Sequence, residues 1–466
     1  MSKNIELEWQ VGYKDTQNDT CEKFVESKVP GAVQLDWALA TNMPEYWKHD
    51  NYNMFRWMED KFWVYRSDIK IDLFEKERAV LTFKGIDYKY KIEINGVEIH
   101  SGEGMFSTIK IDITDYAVND LLLTVTIYPV PKATGRDDRS QARESCKPAV
   151  SYGWDWHPRL IPSGIWDDAY IEIVPDKYIK SMDVSYTLAE DFKFAKIDVE
   201  LDLNEDSDVI LTLENINGTT QWTDTIKFTK CINRHSFKFE NPQLWWTRQF
   251  GEQPYYNLKA CIIDNGVEGH FVSRRIGFRR IELTMNEGEW KKPDSFPKTR
   301  STPPITIKLN GKIIFAKGSN WVNPEIFPGI ITKETYENLL KLVVQANMNI
   351  LRVWGGGIVN KESFFDLCDE MGIMVWQEFP LACNKYPDDD KYLKILDNES
   401  ISIIKRLRTH PCLIMWCGGN ELFNSWSKMT DQSHALRLLN KNCYEYDRNT
   451  PFLPTSPLYG MAHGHY

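Results

Sequence analysis

Residues 412–421 read Cys412-Leu413-Ile414-Met415-Trp416-Cys417-Gly418-Gly419-Asn420-Glu421. An unbroken apolar run ends in two glycines, and an amide–carboxyl pair follows. A short apolar run closed by turn residues marks a strand buried on both faces. Upstream the same construction recurs. Ile373-Met374-Val375-Trp376 leads into Gln377-Glu378, and Ile350-Leu351-Arg352-Val353-Trp354 leads into Gly355-Gly356-Gly357. Ile313-Ile314-Phe315-Ala316 is read as the first strand of the series, with Trp321 and Asn323 after it. Apolar residues at helical spacing separate these runs: Tyr336, Leu339, Leu340 and Val343; Phe364, Phe365, Cys368 and Met371, with Asn360 as cap and Gly372 as stop; Ile403, Ile404 and Leu407. Ala435, Leu438 and Leu439 suggest a fourth helix, and a fifth strand is expected near Phe452.

Such alternation predicts a parallel sheet with helical crossovers, either an open doubly wound sheet or a (β/α)8 TIM barrel. Polar residues at the strands' C-terminal ends favour a barrel mouth. A full barrel takes about 250 residues, and too few remain after Ile313. The expectation is therefore an incomplete barrel, in a chain that is a fragment or a truncated product.

Before the barrel the rhythm is β. Residues 1–177 contain Lys61-Phe62-Trp63-Val64-Tyr65-Arg66, Ala79-Val80-Leu81-Thr82-Phe83 and Leu121-Leu122-Leu123-Thr124-Val125-Thr126-Ile127, with an Asn95-Gly96 hairpin signal. They are read as a two-sheet sandwich. Residues 178–283 alternate through Ile197, Val199, Leu201 and Leu203, then Val209 to Leu213 and Asn257 to Ile263, and fit an immunoglobulin-like β-sandwich. The third region, 284–466, opens on a Pro-rich linker from Lys291 to Pro304.

The chain has 466 residues with 56 basic and 66 acidic side chains, a formal net charge of -10. Without a basic block, nucleic acid and anionic membrane are not expected as partners. No apolar run approaches the roughly 18 residues of a membrane span. The polar start Met1-Ser2-Lys3-Asn4 lacks the form of a secretory signal, so a cytoplasmic location is expected. Nine cysteines without a CxxC pair, and no HExxH, argue for buried thiols; no metal or other cofactor is expected. The 17 Trp and 21 Tyr must line deep cores or binding surfaces. Oligomeric state stays open.

Glu421 would point into the barrel mouth among Trp416, Phe423 and Trp426. Desolvation there would raise its pKa, which suits a general acid; the plain alternative is a solvent-facing loop acid. Arg352, alone in an apolar strand, needs a partner, and Glu378 or Glu421 is available. Its bland reading is a buried structural ion pair. Glu378 is a base, an orienter or that partner. The three glycines at 355–357 lack the GK[ST] of an NTP loop. Tyr152-Gly153-Trp154-Asp155-Trp156-His157 is either a sugar platform, with rings stacking on C–H faces and a carboxylate accepting from hydroxyls, or an interface cluster.

Taken in order, several motifs carry a resemblance: Val29-Pro30-Gly31, Phe83-Lys84-Gly85-Ile86-Asp87, Gly153-Trp154-Asp155-Trp156, Gly164-Ile165-Trp166, Leu244-Trp245-Trp246, Gly277-Phe278-Arg279, Asn320-Trp321, Leu351-Arg352-Val353-Trp354-Gly355-Gly356-Gly357, Trp376-Gln377-Glu378-Phe379 and Gly419-Asn420-Glu421. The chain resembles glycoside hydrolase family 2, and its β-mannosidase branch most closely. The resemblance implies a sugar-binding jelly-roll domain, an immunoglobulin-like domain and a catalytic TIM barrel, together making a retaining exo-glycosidase that acts on terminal β-mannose of a β-mannoside or manno-oligosaccharide. It implies Glu421 as general acid/base, Asn420 on the sugar 2-hydroxyl, and Arg352 supporting the catalytic carboxylates. Trp154, Asp155 and Trp156 would be lent by the first domain to the sugar subsite, with Trp321, Trp354 and Trp376 as pocket walls. Departures are His157 where relatives usually carry Gly, the stretch Asn323-Pro324-Glu325, and the lack of an assignable nucleophile in this chain. The alternatives are another family member, a β-glucosaminidase or β-galactosidase, or a non-catalytic carbohydrate-binding protein if the chain is complete at Tyr466.

Overall fold

The computed structural model describes residues 3–117, 120–288, 305–458 and 463. The Pro-rich stretch from Lys291 to Pro304 lies outside them. The alternating pattern of the first region folds as two antiparallel sheets. One joins Val25–Ser27, Trp9–Lys14, Phe62–Ile69, Leu121–Ile127, Lys89–Ile94 and Val97–Glu103; the other joins Lys3–Glu6, Ala169–Pro175, Glu77–Phe83 and Ile109–Asp112. Trp9, Trp63, Leu81, Phe83, Val125 and Ile171 share the core of this sandwich. Asn95 and Gly96 turn the hairpin with φ of 50° and 78°, as an Asn-Gly pair permits.

A second sandwich packs Ile179–Leu188, Phe194–Leu203 and Cys231–Glu240 against Thr220–Phe228, Ser207–Asn215, Tyr256–Asp264 and Val267–Ile276. Ile197, Val199, Leu201, Leu203, Val209, Leu211 and Leu213 fill its centre. Ile281–Met285 then pairs with Ile305–Leu309, and that strand pairs with Lys312–Ile314.

That last pairing corrects an expectation. The apolar run at 313–316 does not open the parallel sheet. Its strand is an antiparallel edge, leaving Ile313 64 % and Phe315 66 % exposed. The first parallel strand is the more polar β1 (Gly318–Trp321), followed by α1 (Lys333–Gln345), β2 (Ile350–Val353), α2 (Glu362–Met371), β3 (Met374–Glu378), α3 (Asp390–Leu407), β4 (Leu413–Cys417), α4 (His434–Tyr446) and β5 (Phe452–Leu453). Glycine is required at 318, because a Cβ would lie 1.9 Å from the Ile350 carbonyl oxygen. Asn360 does not cap α2 either. Lys361 holds the N-cap position with no side-chain bond, and the Asn360 amide oxygen accepts instead from the Trp321 indole at 3.4 Å.

The sheet order β1-β2-β3-β4-β5 follows the chain without reversal. A doubly wound sheet reverses direction at a switch point. With right-handed crossovers, an unreversed order puts every helix on one face and leaves the other face as a barrel interior. Strand alternation then sorts side chains. Arg352, Trp376 and Glu378 face inward, while Leu351, Val353 and Val375 meet the helices.

The two sandwiches are clasped to this domain by buried polar groups. Glu399 on α3 accepts from the Met105 and Phe106 amides at 2.6 and 2.8 Å and from the Ser107 hydroxyl at 2.7 Å. Arg279 donates to the carbonyls of Asn449 and Leu413 and to the Thr450 hydroxyl. Two of the sequence motifs, Gly277-Phe278-Arg279 and Trp245, thereby act at a domain junction, since the Trp245 indole donates to the Asp369 carbonyl on α2.

Candidate active site

At the C-terminal ends of β2, β3 and β4 a buried polar hub replaces the apolar interior. The Arg352 guanidinium donates through Nε and Nη2 to Glu378 Oε1 at 3.0 and 2.8 Å, through Nη1 to Asn320 Oδ1 at 2.9 Å, and through Nη2 to Asn420 Oδ1 at 2.7 Å and Ser456 Oγ at 2.9 Å. Of the two carboxyls open to Arg352, the partner is Glu378. Its Oε1 also accepts from Ser456 Oγ at 2.9 Å, and its Oε2 from the Gly355 amide at 2.7 Å. A Cβ at position 355 would meet that carboxylate and the Phe379 and Leu381 carbonyls, so the glycine lets the backbone reach Glu378. Both charges are buried, so this full set of partners is what makes the pair tolerable.

The parallel pairing continues past the strands. Residues 382, 420 and 456 form successive bridges, and the Glu421 amide donates to the Ser456 carbonyl at 2.7 Å. Gly419, with φ of 150°, lies where a Cβ would be 2.3 Å from the Leu381 carbonyl. That turn brings Asn420 into the hub and carries Glu421 beyond it.

The half-buried Glu421 adopts φ of 55°, a left-handed backbone uncommon outside glycine. Its Oε1 lies 3.1 Å from His463 Nε2, and its Oε2 accepts from the Cys383 thiol at 3.3 Å. His463 Nδ1 lies 3.1 Å from Ser456 Oγ, so a chain of contacts runs from Glu378 through Ser456 and His463 to Glu421.

This environment reverses the expected electrostatics. The hydrogen bond to His463 holds the Glu421 carboxyl below its ordinary range, against the opposing pull of partial burial, and the Cys383 thiol adds to the lowering. Trp416 does not desolvate it. Alternation along β4 turns that indole outward, where it donates to Asp447 at 2.8 Å and its ring stacks on Phe379. Phe423 packs on the domain core, and Trp426 is exposed.

The first domain closes one side of the mouth. The Val150 amide donates to the Gly356 carbonyl at 3.0 Å, and Asn384 Nδ2 donates to the Arg139 carbonyl at 3.0 Å. Trp154 meets Trp354 edge-on at 4.9 Å between centroids, and its own ring lies under the Arg139 guanidinium at 4.5 Å. Trp156, 53 % exposed, lies 5.7 Å from Trp354, and Asp155 is exposed beside it. The motif is thus both interface and rim. His157 is tied to the Pro158 carbonyl at 2.7 Å, and burial pulls its pKa down.

The other two proposed walls differ. Trp376 lies beneath the hub, its buried ring 5.6 Å from the Arg352 guanidinium carbon. Trp321 is not a wall. Asn320 takes the inward place on β1, so Trp321 turns to the helices and packs on Phe364 and Tyr336. Asn323 accepts from the Ile358 amide at 2.7 Å and braces the glycine loop. Sequence reasoning missed Ser456, Cys383 and His463. Among the described residues, Asp366, Asp369 and His410 form a group that could hold a metal, but it lies at the junction with the second sandwich, away from this hub.

Three family models match the chain in order. "Glycosyl hydrolase 2 galactose-binding domain-like" covers 9–167, "Glycosyl hydrolases family 2" covers 177–279, and "Glycosyl hydrolases family 2, TIM barrel domain" covers 305–447. Beta-mannosidase B of Thermothelomyces thermophilus is 27 % identical over 92 % of this chain and 54 % of its own length. The beta-mannosidase of Capra hircus is 28 % identical over 89 % of this chain and 51 % of its own length. The solved beta-D-mannosidase of Dictyoglomus thermophilum superposes with a TM-score of 0.81 at 30 % identity, over 98 % of this chain and 58 % of that one. The chain spans about half the length of the curated relatives it matches.

Proposed function

The chain belongs to glycosyl hydrolase family 2, and from that premise we propose that it is the acid/base-bearing part of a retaining exo-β-mannosidase. The observation that carries the reading is the pairing of a half-exposed Glu421 with the buried hub of Arg352, Glu378 and Asn420 at one mouth. Likeness to beta-mannosidases over about nine-tenths of the chain supports the choice of sugar.

In this mechanism Glu421 protonates the departing glycosidic oxygen and later takes a proton from the attacking water. The hydrogen bonds that Glu421 receives favour its carboxylate form. A sugar seated on the mouth would remove water from it, and desolvation favours the protonated form the first step needs. Asn420 has its amide oxygen held by Arg352, and its Nδ2 group, which gives one hydrogen to the Cys383 sulfur, keeps a second that suits a sugar hydroxyl. Trp156 offers a face for C–H stacking beside the partly exposed Trp154, with the buried Trp354 behind them, and Asp155 at the rim offers an acceptor.

Retention requires a second carboxyl about 5–5.5 Å from the first, placed to attack the anomeric carbon. Glu378 is not assigned that role, because Arg352, Ser456 and the Gly355 amide occupy its oxygens. No residue of this chain is assigned to it. The reaction as drawn calls for no cofactor.

The test is hydrolysis of p-nitrophenyl β-D-mannoside and of a β-mannobiose by the natural gene product and its Glu421→Gln variant. The variant should lose orders of magnitude on the disaccharide and much less on the activated aryl glycoside. Near-wild-type rates on both, or no hydrolysis of either by the parent protein, would sink the proposal.

A further inference from the structure

Arg352, Asn420, Cys383 and Glu421 make one directional run of hydrogen bonds. Arg352 donates to the Asn420 amide oxygen at 2.7 Å, which fixes that amide's orientation. The Asn420 Nδ2 group then donates to the Cys383 sulfur at 3.3 Å. The sulfur's own proton points onward to Glu421 Oε2, also at 3.3 Å. The Cys383 backbone is held in the same frame, its amide donating to the Asn420 carbonyl at 2.9 Å, and its φ of 49° matches the left-handed turn of Glu421.

We propose that Cys383 is a positioning residue for the general acid, its thiol holding the Glu421 carboxyl in register with the buried hub. The inference rests on the general-acid reading of Glu421 and extends it to a residue outside the Asn-Glu motif.

The thiol is fit for this because it keeps its proton. Burial, and then the neighbouring Glu421 charge, push it up to about 12. It therefore donates throughout the range in which a glycosidase works. A thiol is also a weak donor. It orients the carboxylate while stabilising the ionised form less than a hydroxyl would, and a general acid must not be held too firmly ionised. The other groups facing the pair are His463 and Asn424 at Glu421, and Arg139 and Trp426 at Cys383.

The reading makes two substitutions move one quantity in opposite directions. In Cys383→Ala the donor is gone, so the Glu421 carboxyl is ionised less readily. In Cys383→Ser a stronger hydroxyl donor replaces it, so ionisation becomes easier. The experiment is the pH dependence of kcat/KM for an aryl β-mannoside in the natural gene product. Its alkaline limb reports ionisation of the free enzyme's acid. That limb should move to higher pH in Cys383→Ala and to lower pH in Cys383→Ser, with melting temperatures matched to the parent as a check on folding. A limb that stays in place in both variants, or moves the same way in both, overturns the proposal. The Glu421→Gln variant separates this result from the reading beneath it. If that variant keeps parental rates on all leaving groups, the general-acid assignment fails and this inference falls with it. If it loses activity while the Cys383 variants leave the limb unmoved, only the positioning role is overturned.

Discussion

Glu378 and Glu421 sit at the ends of adjacent strands, yet their surroundings are opposite. Glu378 is sealed, with Arg352, the Ser456 hydroxyl and a backbone amide on its two oxygens. Glu421 is half-buried, with an imidazole, a thiol and the Asn424 side chain beside it, on a backbone turned to the left-handed region. A carboxylate whose oxygens are taken by several fixed donors has little left to offer a substrate. One with fewer and weaker partners has more. The difference separates a carboxyl built into the framework from one left open to the mouth, and the proposed general-acid role falls to the second, although each follows an apolar strand and the two look alike in sequence.

The comparison breaks first if activity ignores the distinction. Glu421→Gln should lower turnover of substrates with poor leaving groups by about 10²–10⁴, the usual worth of a positioned general acid. Steady-state rates across a leaving-group series check it, and a flat loss over the series would argue against proton donation. Glu378 should fail differently. Arg352→Met strands its carboxylate in the interior, at a cost of about 3–5 kcal/mol. Thermal melting should register that as a large drop, with part of it regained in the double variant Arg352→Met, Glu378→Leu, which removes both charges. If the single variant melts like the parent, the hub is not the buried framework described above.

The same contrast explains what was readable from residues alone. Strands β2, β3 and β4 announce themselves because both faces are buried and nearly every residue is apolar. Strand β1 does not, because its inward places are taken by Gly318, which makes room for Ile350, and by Asn320, which must reach Arg352. An apolar run nearby, 313–316, was the better match to a buried strand and belongs to an antiparallel edge. Alternation along β4 was enough to turn Trp416 away from Glu421, a signal in the sequence that composition around the motif obscured. Ser456, Cys383 and His463 had none: each is a single polar residue in a loop, and only the bridges 382–420–456 bring two of them to the motif.

A second pair of carboxylates extends the comparison to a junction between domains. Asp369 and Glu362 on α2 grip His410 from both sides, with Nδ1 2.6 Å from Asp369 and Nε2 3.2 Å from Glu362, while Arg274 and Arg275 of the second sandwich face the same carboxylates. Asp366 and Glu370 complete the charged surroundings through Arg275. Burial opposes the charged imidazole, but the two carboxylates win and raise His410 to about 9. A folded-state value above the unfolded one stabilises the fold fully below the unfolded pKa and loses that stabilisation as pH rises through the folded value. Between pH 7 and 10 the melting temperature should therefore fall by a few degrees more in the parent than in His410→Gln, which cannot titrate. Parallel melting curves for the two proteins would show that the imidazole is neutral and the junction is held by the arginines alone.

The smallest effect belongs to the rim. Trp154 and Trp354 are wedged together at the domain contact, whereas Trp156 keeps more than half of its surface free. Removing a ring that only stacks on substrate should weaken ground state and transition state alike, raising KM with little change in kcat. Trp156→Ala should thus raise KM for a β-mannoside by roughly tenfold or less, the scale of about 1 kcal/mol for an aromatic contact at an exposed site. Trp154→Ala should lower the melting temperature as well, because it also empties the contact that carries Trp354 and the Arg139 guanidinium. If the two variants behave alike, the Trp-Asp-Trp loop has one function rather than two. If Trp156→Ala lowers kcat with KM unchanged, its ring contributes to the reaction itself, and the division between framework and reagent runs through the first domain as well as through the barrel.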